Sequence, residues 1–172
     1  MNIAISAAGP TLDSPVEAKI SWANACFDRE KSRLLVNERL VELLESLRTA
    51  VRRSREHMLR CGIVDCCREC EKKEGGSCCG AGLEKHYSGT LLLVNLFLGV
   101  TLPRKREDPS GCFFLSRTGC RLLARHVVCI NYVCDKITSK IKPDQLAALR
   151  EAEGEETLLL FHVNETLKEL VR

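Results

Sequence analysis

Eight of the chain's 11 cysteines fall between residues 67 and 134 in two groups, Cys67, Cys70, Cys78 and Cys79, then Cys112, Cys120, Cys129 and Cys134. This spacing constrains the fold more than any other feature. A reduced cysteine that merely fills a core behaves as a small apolar residue. Such burial does not favour the surroundings of the first group, CRECEKKEGGSCCG, where the thiols sit among Arg, Glu, Lys and Gly. Thiolates are soft ligands that hold zinc or iron–sulfur clusters, so the pattern predicts a metal-stapled lobe over residues 61–135.

A chain of 172 residues suits one domain with a real core, and 45% hydrophobic with 28% charged residues is too apolar for disorder. The expectation is a single domain over residues 1–172. A net charge of +3 from 26 basic and 23 acidic residues gives no strong field to steer nucleic acid or an anionic membrane. The opening MNIAISAAGPTLDSP lacks a basic start followed by an apolar stretch, which argues against a secretory signal and for a cytoplasmic protein. The most apolar run, LLLVNLFLGVTL, is about 18 Å long as a helix, against a hydrocarbon core of about 30 Å. It predicts a buried helix and no membrane span. In a reducing compartment structural disulfides are disfavoured, which strengthens the ligand reading of the cysteines.

The predicted class is mainly α, a small antiparallel bundle of N- and C-terminal helices with the cysteine-rich lobe inserted. Residues 1–13 read as a loose arm. Ser14 as N-cap and Pro15 at the first helical position predict a helix over residues 15–29. Val36, Leu40, Leu43, Leu47 and Ala50 step by four and three, predicting a second helix over residues 33–60, within N-terminal helices spanning 14–60. Periodicity then vanishes over residues 61–82, a loop-like stretch. Residues 86–100 predict the short buried helix and 103–111 a polar loop. The patches CFFL and VVCINYVC fit short strands or helical turns. Pro143 and Asp144 open a C-terminal helix over 143–172, kinked or split near residues 153–155 at Gly154.

The ligand chemistry follows from spacing. Cys67 and Cys70 form a C-x-x-C half-site that lets two thiolates meet one tetrahedral ion at about 2.3 Å. Cys78 and Cys79 are adjacent and point apart, so they serve different ions or different irons of one cluster. With Cys112, Cys120, Cys129 and Cys134 the set suffices for two four-thiolate zinc sites, or for an iron–sulfur cluster with thiols to spare. Two zinc ions on eight thiolates carry a formal charge of about minus four, which calls for nearby cations. Arg68, Lys72, Lys73, Lys85, Arg117, Arg121 and Arg125 are interleaved with the ligands.

The segment GCFFLSRTGCRLLARHVVCINYVC, with the upstream cysteines, resembles the YkgJ-type cysteine-cluster family, whose signature is C-x-x-C-x-x-C-C. Cys112, Phe114 and Leu115 match its C-x-F-L element, Gly119 and Cys120 its Gly-Cys, and Arg125 with Cys129 and Cys134 its ending. His126 stands where that family has proline, and EKKEGGS separates Cys70 from Cys78 where two residues are usual. The resemblance covers about residues 66–134. It implies zinc or iron chelation and no defined reaction.

Cys26, Cys61 and Cys66 read as packing residues, and His86 and His126 stay outside the ligand set. The arginines Arg48, Arg52, Arg53, Arg55 and Arg60 read first as a solvated helix face. Binding of nucleic acid there is the weaker alternative, because Glu56 interrupts the patch and Trp22 is the chain's one tryptophan. The functional expectation is a metal-binding protein, zinc first and iron or an iron–sulfur cluster second, in a structural role or one that presents the lobe to a protein partner. A redox, sensor or enzymatic role for an iron–sulfur centre is the competing reading. The oligomeric state stays open at this level.

Overall fold

A computed structural model describes residues 9–73 and 79–171, with side chains left aside at 71–73. The chain is mainly helical, as the periodicity predicts. Helix α1 (Val16–Leu34) leads through a short turn into α2 (Glu38–Arg60). The break falls later than residues 30–32, because Asn37 caps α2 by accepting the Leu40 N–H at 2.9 Å. Helix α3 (Ile63–Lys73) follows, then a 3₁₀ turn at Leu83–His86 and helix α4 (Gly89–Phe97). Strands β1 (Leu115–Ser116) and β2 (Gly119–Cys120) form a hairpin. The short helices α5 (Val127–Asn131) and α6 (Asp135–Thr138) precede the last element, α7 (Pro143–Leu170).

Helices α2 and α7 make the most extensive pairing in the molecule. They run antiparallel: Arg53 pairs with Glu155 and the Cys61 thiol reaches the Gln145 carbonyl, while Arg33 in the last turn of α1 donates to the Leu170 carbonyl at the far end of α7. Helix α4 is apolar on every side, so it is driven to the centre, where Leu92, Leu93 and Val94 are fully buried. It runs parallel to α1, with Phe27 edge-on to Phe97 at 5.0 Å. Gly89 at the start of α4 lies against Trp22, and a β-carbon there would come within 2.7 Å of the indole. A second, smaller core of Ile63, Ile137, Ile141 and Leu149 lies under α3, α6 and the start of α7.

Four expectations need correction. Residues 61–82 are not loop throughout: α3 occupies Ile63–Lys73, and its buried side is supplied partly by thiols, which hides it from an apolar count. Helix α7 is continuous through residues 153–155 with no split at Gly154, whose exposed position tolerates glycine inside the helix. Residues 9–14 of the arm are tied down, because Lys19 Nζ donates to the Leu12 carbonyl at 2.6 Å and Gly9 rests on Trp22. Ser14 turns its hydroxyl to the Thr11 N–H at 3.1 Å, and α1 begins at Val16 without a side-chain cap. Among the described residues no helix is long and apolar enough to cross a membrane.

Candidate functional site

The lobe is fixed to the bundle by one buried amide. Asn95 on α4 accepts the Leu123 and Ala124 N–H groups and donates to the Leu91 and Ala124 carbonyls. Three of these four bonds go to the segment between Cys120 and Cys129. Arg55 on α2 reinforces that segment by donating to the Leu122 carbonyl at 2.5 Å. Glu84 gathers the other side: it accepts the Gly82 and Phe113 N–H groups and pairs with Arg106.

Main-chain geometry then delivers four thiols to one place. A bridge between Gly80 and Gly111, with the Cys112 N–H donating to the Cys79 carbonyl at 2.6 Å, sets Cys79 beside Cys112. The β1–β2 hairpin pairs Leu115 with Cys120, turning at Gly119, whose φ of +111° excludes ordinary side chains. Helix α5 carries Cys129, and His126 caps it by accepting the Val128 N–H on Nδ1 at 3.2 Å. Cys79, Cys112, Cys120 and Cys129 thereby line a single cavity of about 240 Å³, with Leu83, Leu115, Val128 and Tyr132 as its apolar wall. Tyr87 and Arg125 complete the lining.

Tyr87 is 1% exposed and accepts the His126 N–H at 3.0 Å, so its own proton is left to point at the Cys129 sulfur, 3.6 Å away. Arg125, 9% exposed, uses Nη2 on the Met58 sulfur at 3.3 Å, while its Nε has no partner. Its charge acts both on the thiols of Cys120 and Cys129 and on the buried carboxyls of Glu153 and Glu156. Burial pushes the Cys112 thiol up to about 12 and raises Cys120 and Cys129 as well, Arg125 opposing in the latter two. Burial thus favours the protonated form of Cys112, Cys120 and Cys129, and thiols held in that form release protons on taking up a cation.

The remaining predicted ligands form a different group. Cys67 on α3 has the titratable thiols of Cys79, Cys134, Cys66 and Cys70 as neighbours, and burial, ahead of these, pushes its thiol up to about 11. Cys66, Cys67 and Cys134 pack on the same small core. The spatial groups cut across the two sequence groups: Cys134 lies with the α3 thiols, and Cys79 joins Cys112, Cys120 and Cys129 while remaining near Cys67. Cys78 lies outside the described residues. The described cysteines are all thiols. Among the described residues no group of three or more His, Cys, Asp or Glu side chains is gathered tightly enough to enclose an ion. The cavity thiols surround a volume instead of a point.

Of the cations expected near the ligands, Arg125 reaches the cavity, whereas Arg68 pairs with Asp65 and Arg121 with Glu107 at the surface. Lys72 and Lys73 have no described side chains. Sequence reasoning missed Tyr87, Asn95 and Arg55. Ser54 and Arg55 extend the apolar stripe of α2 at 44, 47 and 51, and polar residues on such a stripe were the available signal. The arginine row of α2 serves the fold: Arg48 donates to the Leu98 carbonyl at the end of α4, Arg53 pairs with Glu155, and Arg60 with Glu56.

No family model, curated protein or solved structure matches this chain. The likeness to the YkgJ-type family therefore rests on the motifs within residues 66–134.

Proposed function

We propose that this is a thiolate metal-binding protein whose cysteine lobe is held by bound metal, zinc first and iron or an iron–sulfur cluster second. The observation that carries the reading is the cavity shared by Cys79, Cys112, Cys120 and Cys129, four thiols brought from separate segments. The donor set fits: soft sulfurs, a phenol proton on Cys129, and an unpartnered guanidinium N–H from Arg125 that can offset thiolate charge. A structural metal contributes on the order of 10–16 kcal/mol, comparable with the stability of a whole domain, and so would order a lobe that is poor in regular structure. The role is structural, presenting the lobe to a protein partner in the cytoplasm, and Arg125, Tyr87 and Asn95 hold the ligand segments in register.

The cavity's size favours a second reading, an iron–sulfur cluster. A single zinc ion requires sulfurs about 2.3 Å from one centre, whereas the thiols here enclose about 240 Å³. Bound there, a cluster supplies one-electron chemistry, and hydrogen bonds such as those from Tyr87 and Arg125 tune it. Elemental analysis of anaerobically purified protein tests both readings. Zinc with a colourless solution supports the first and iron with a brown colour the second. Protein isolated without metal that also takes up neither zinc nor iron contradicts both.

A further inference from the structure

A sealed group of polar side chains lies along the seam of α2 and α7, where two paired helices ordinarily bury apolar ones. The antiparallel register set by Arg53 with Glu155 and by Cys61 with Gln145 brings Ser54 on α2 opposite Glu156 on α7. Ser54 and Glu156 are fully buried, and Glu153, one turn earlier on α7, is 2% exposed. Arg125 enters this seam from the lobe: its Nη2 rests on the sulfur of Met58, one turn beyond Ser54, while its side chain is also part of the cavity wall. Glu153 is paired with Arg150 at 2.9 Å, and Arg55 donates to the Leu122 carbonyl. Glu156 has no such commitment. Among the described residues, five buried side-chain atoms lack a hydrogen bond of normal geometry, and four of them are here: both Glu156 oxygens, the Ser54 hydroxyl and Arg125 Nε. Buried polar atoms are normally paired, so this concentration calls for a reason beyond packing.

The groups that face Glu156 are few. Arg55 and Ser54 come from α2, Arg125 from the lobe, and Glu153 with its partner Arg150 from α7 itself. Helix α4, also packed on α7, carries no ionisable side chain, and α5 brings Cys129. Both arginines act on the thiols as well, Arg125 on Cys120 and Cys129 and Arg55 on Cys120. Carboxylate and thiolates therefore compete for the same two positive charges.

We propose that Glu156 is the proton acceptor coupled to the thiol cavity: its carboxylate balances Arg125 while the thiols keep their protons, and it takes up a proton when Cys79, Cys112, Cys120 and Cys129 become thiolates around a cation. This coupling rests on the thiolate-metal reading. Each thiol gives up its proton and keeps the electron pair of the S–H bond, with which the sulfur holds the cation; four thiolates on a divalent ion leave a formal charge of about minus two. That charge takes a share of the field of Arg125 and Arg55 and makes a second negative group nearby less favourable. One of the four protons accordingly remains in the protein on Glu156 and three pass to solvent. Burial already favours the protonated carboxyl, and once protonated the group becomes a donor for which the Ser54 hydroxyl is the facing acceptor.

The test uses the full chain, reduced and metal-free under anaerobic conditions, titrated near neutral pH with Zn²⁺ and, in parallel, with Fe²⁺. Calorimetry in two buffers of different ionisation enthalpy counts the protons released. Wild type should release about one proton fewer per ion bound than Glu156→Gln, and its affinity should rise less steeply with pH, by about a factor of ten per pH unit. Glu155→Gln, which removes the half-exposed neighbouring carboxylate, should match wild type. In the wild-type chain the ion should also bring up the infrared C=O band of a protonated carboxylic acid at the expense of a carboxylate band, a readout that needs no variant to fold. Equal proton counts in wild type and Glu156→Gln, or no protonated-acid band when the ion binds, overturns the coupling and leaves the thiolate-metal reading standing. A wild-type chain that binds neither ion overturns both.

Discussion

Asn95 and Ala124 exchange two hydrogen bonds, Nδ2 donating to the Ala124 carbonyl at 2.9 Å and Oδ1 accepting the Ala124 N–H at 3.0 Å. Both partners are fully buried, so the pair sits where water cannot substitute for a lost bond. It couples the centre of the bundle to the segment that leads into Cys129. The geometry of the thiols thus depends on a residue of the core helix, about 30 positions away in sequence.

Replacing Asn95 with Leu keeps volume and apolar character but strands the Leu123 and Ala124 N–H groups and the Ala124 carbonyl. Each buried unpaired group costs about 1–3 kcal/mol. A loss of at least about 3 kcal/mol is expected in urea unfolding, and Cys120 and Cys129 should be alkylated faster. Wild-type labelling rates in Asn95→Leu would show that the lobe holds its thiols without the clamp.

Arg55 and Arg52 are neighbours with opposite fates. Arg55 is turned inward onto the Leu122 carbonyl, while Arg52 is exposed on the outer side of α2. Arg55→Ala removes a charge-assisted bond and should lower stability by about 2 kcal/mol, whereas Arg52→Ala should fall within about 0.5 kcal/mol of wild type. Equal effects in chemical denaturation would return the arginines to a purely solvated face.

The parts of the fold legible in sequence are those written in local periodicity. The stripe of α2, the apolar run of α4 and the proline start of α7 need only near neighbours in the sequence to be recognised. Helix α3 escaped because cysteines occupy its inward positions, so ligand spacing and helical spacing are the same letters read two ways. The regrouping of the thiols was hidden for a different reason. The Gly80–Gly111 bridge that sends Cys79 to Cys112 spans a long stretch of chain and leaves no trace in the spacing of either motif. Asn95 lay in plain view as the single polar residue within LLLVNLFL, and a polar group in an apolar helix needs partners.

Gly154 gives a direct measure of helix propensity in α7. The residue is exposed within the continuous helix, and an added β-carbon would meet nothing within 4 Å. Gly154→Ala should therefore stabilise the protein by about 0.5–1 kcal/mol by restricting the unfolded chain. The midpoint of thermal unfolding should rise by about 1–4 °C. A lower midpoint would mean that α7 uses the glycine for a bend that alanine resists.

Two buried glutamates should pull stability in opposite directions with pH. For Glu84, burial alone pushes the carboxyl up, but Arg106 and the N–H groups of Gly82 and Phe113 outweigh it and hold the group below its ordinary 4.5. Its contribution is present above about that value and is lost as pH falls through the lower folded value. For Glu156, burial raises the carboxyl, the charges of Arg125 and Arg55 oppose it, and neither oxygen makes a hydrogen bond of normal geometry. That contribution is complete below the ordinary value and disappears as pH rises through the folded one, so at neutral pH the ionised group is a net cost. Glu84→Gln should accordingly lower the urea midpoint at neutral pH and Glu156→Gln raise it, each difference shrinking as the corresponding wild-type carboxyl is protonated. If Glu156→Gln instead lowers the neutral-pH midpoint, the arginines hold a carboxylate whose burial is fully compensated, and Arg125 then has a committed counterion.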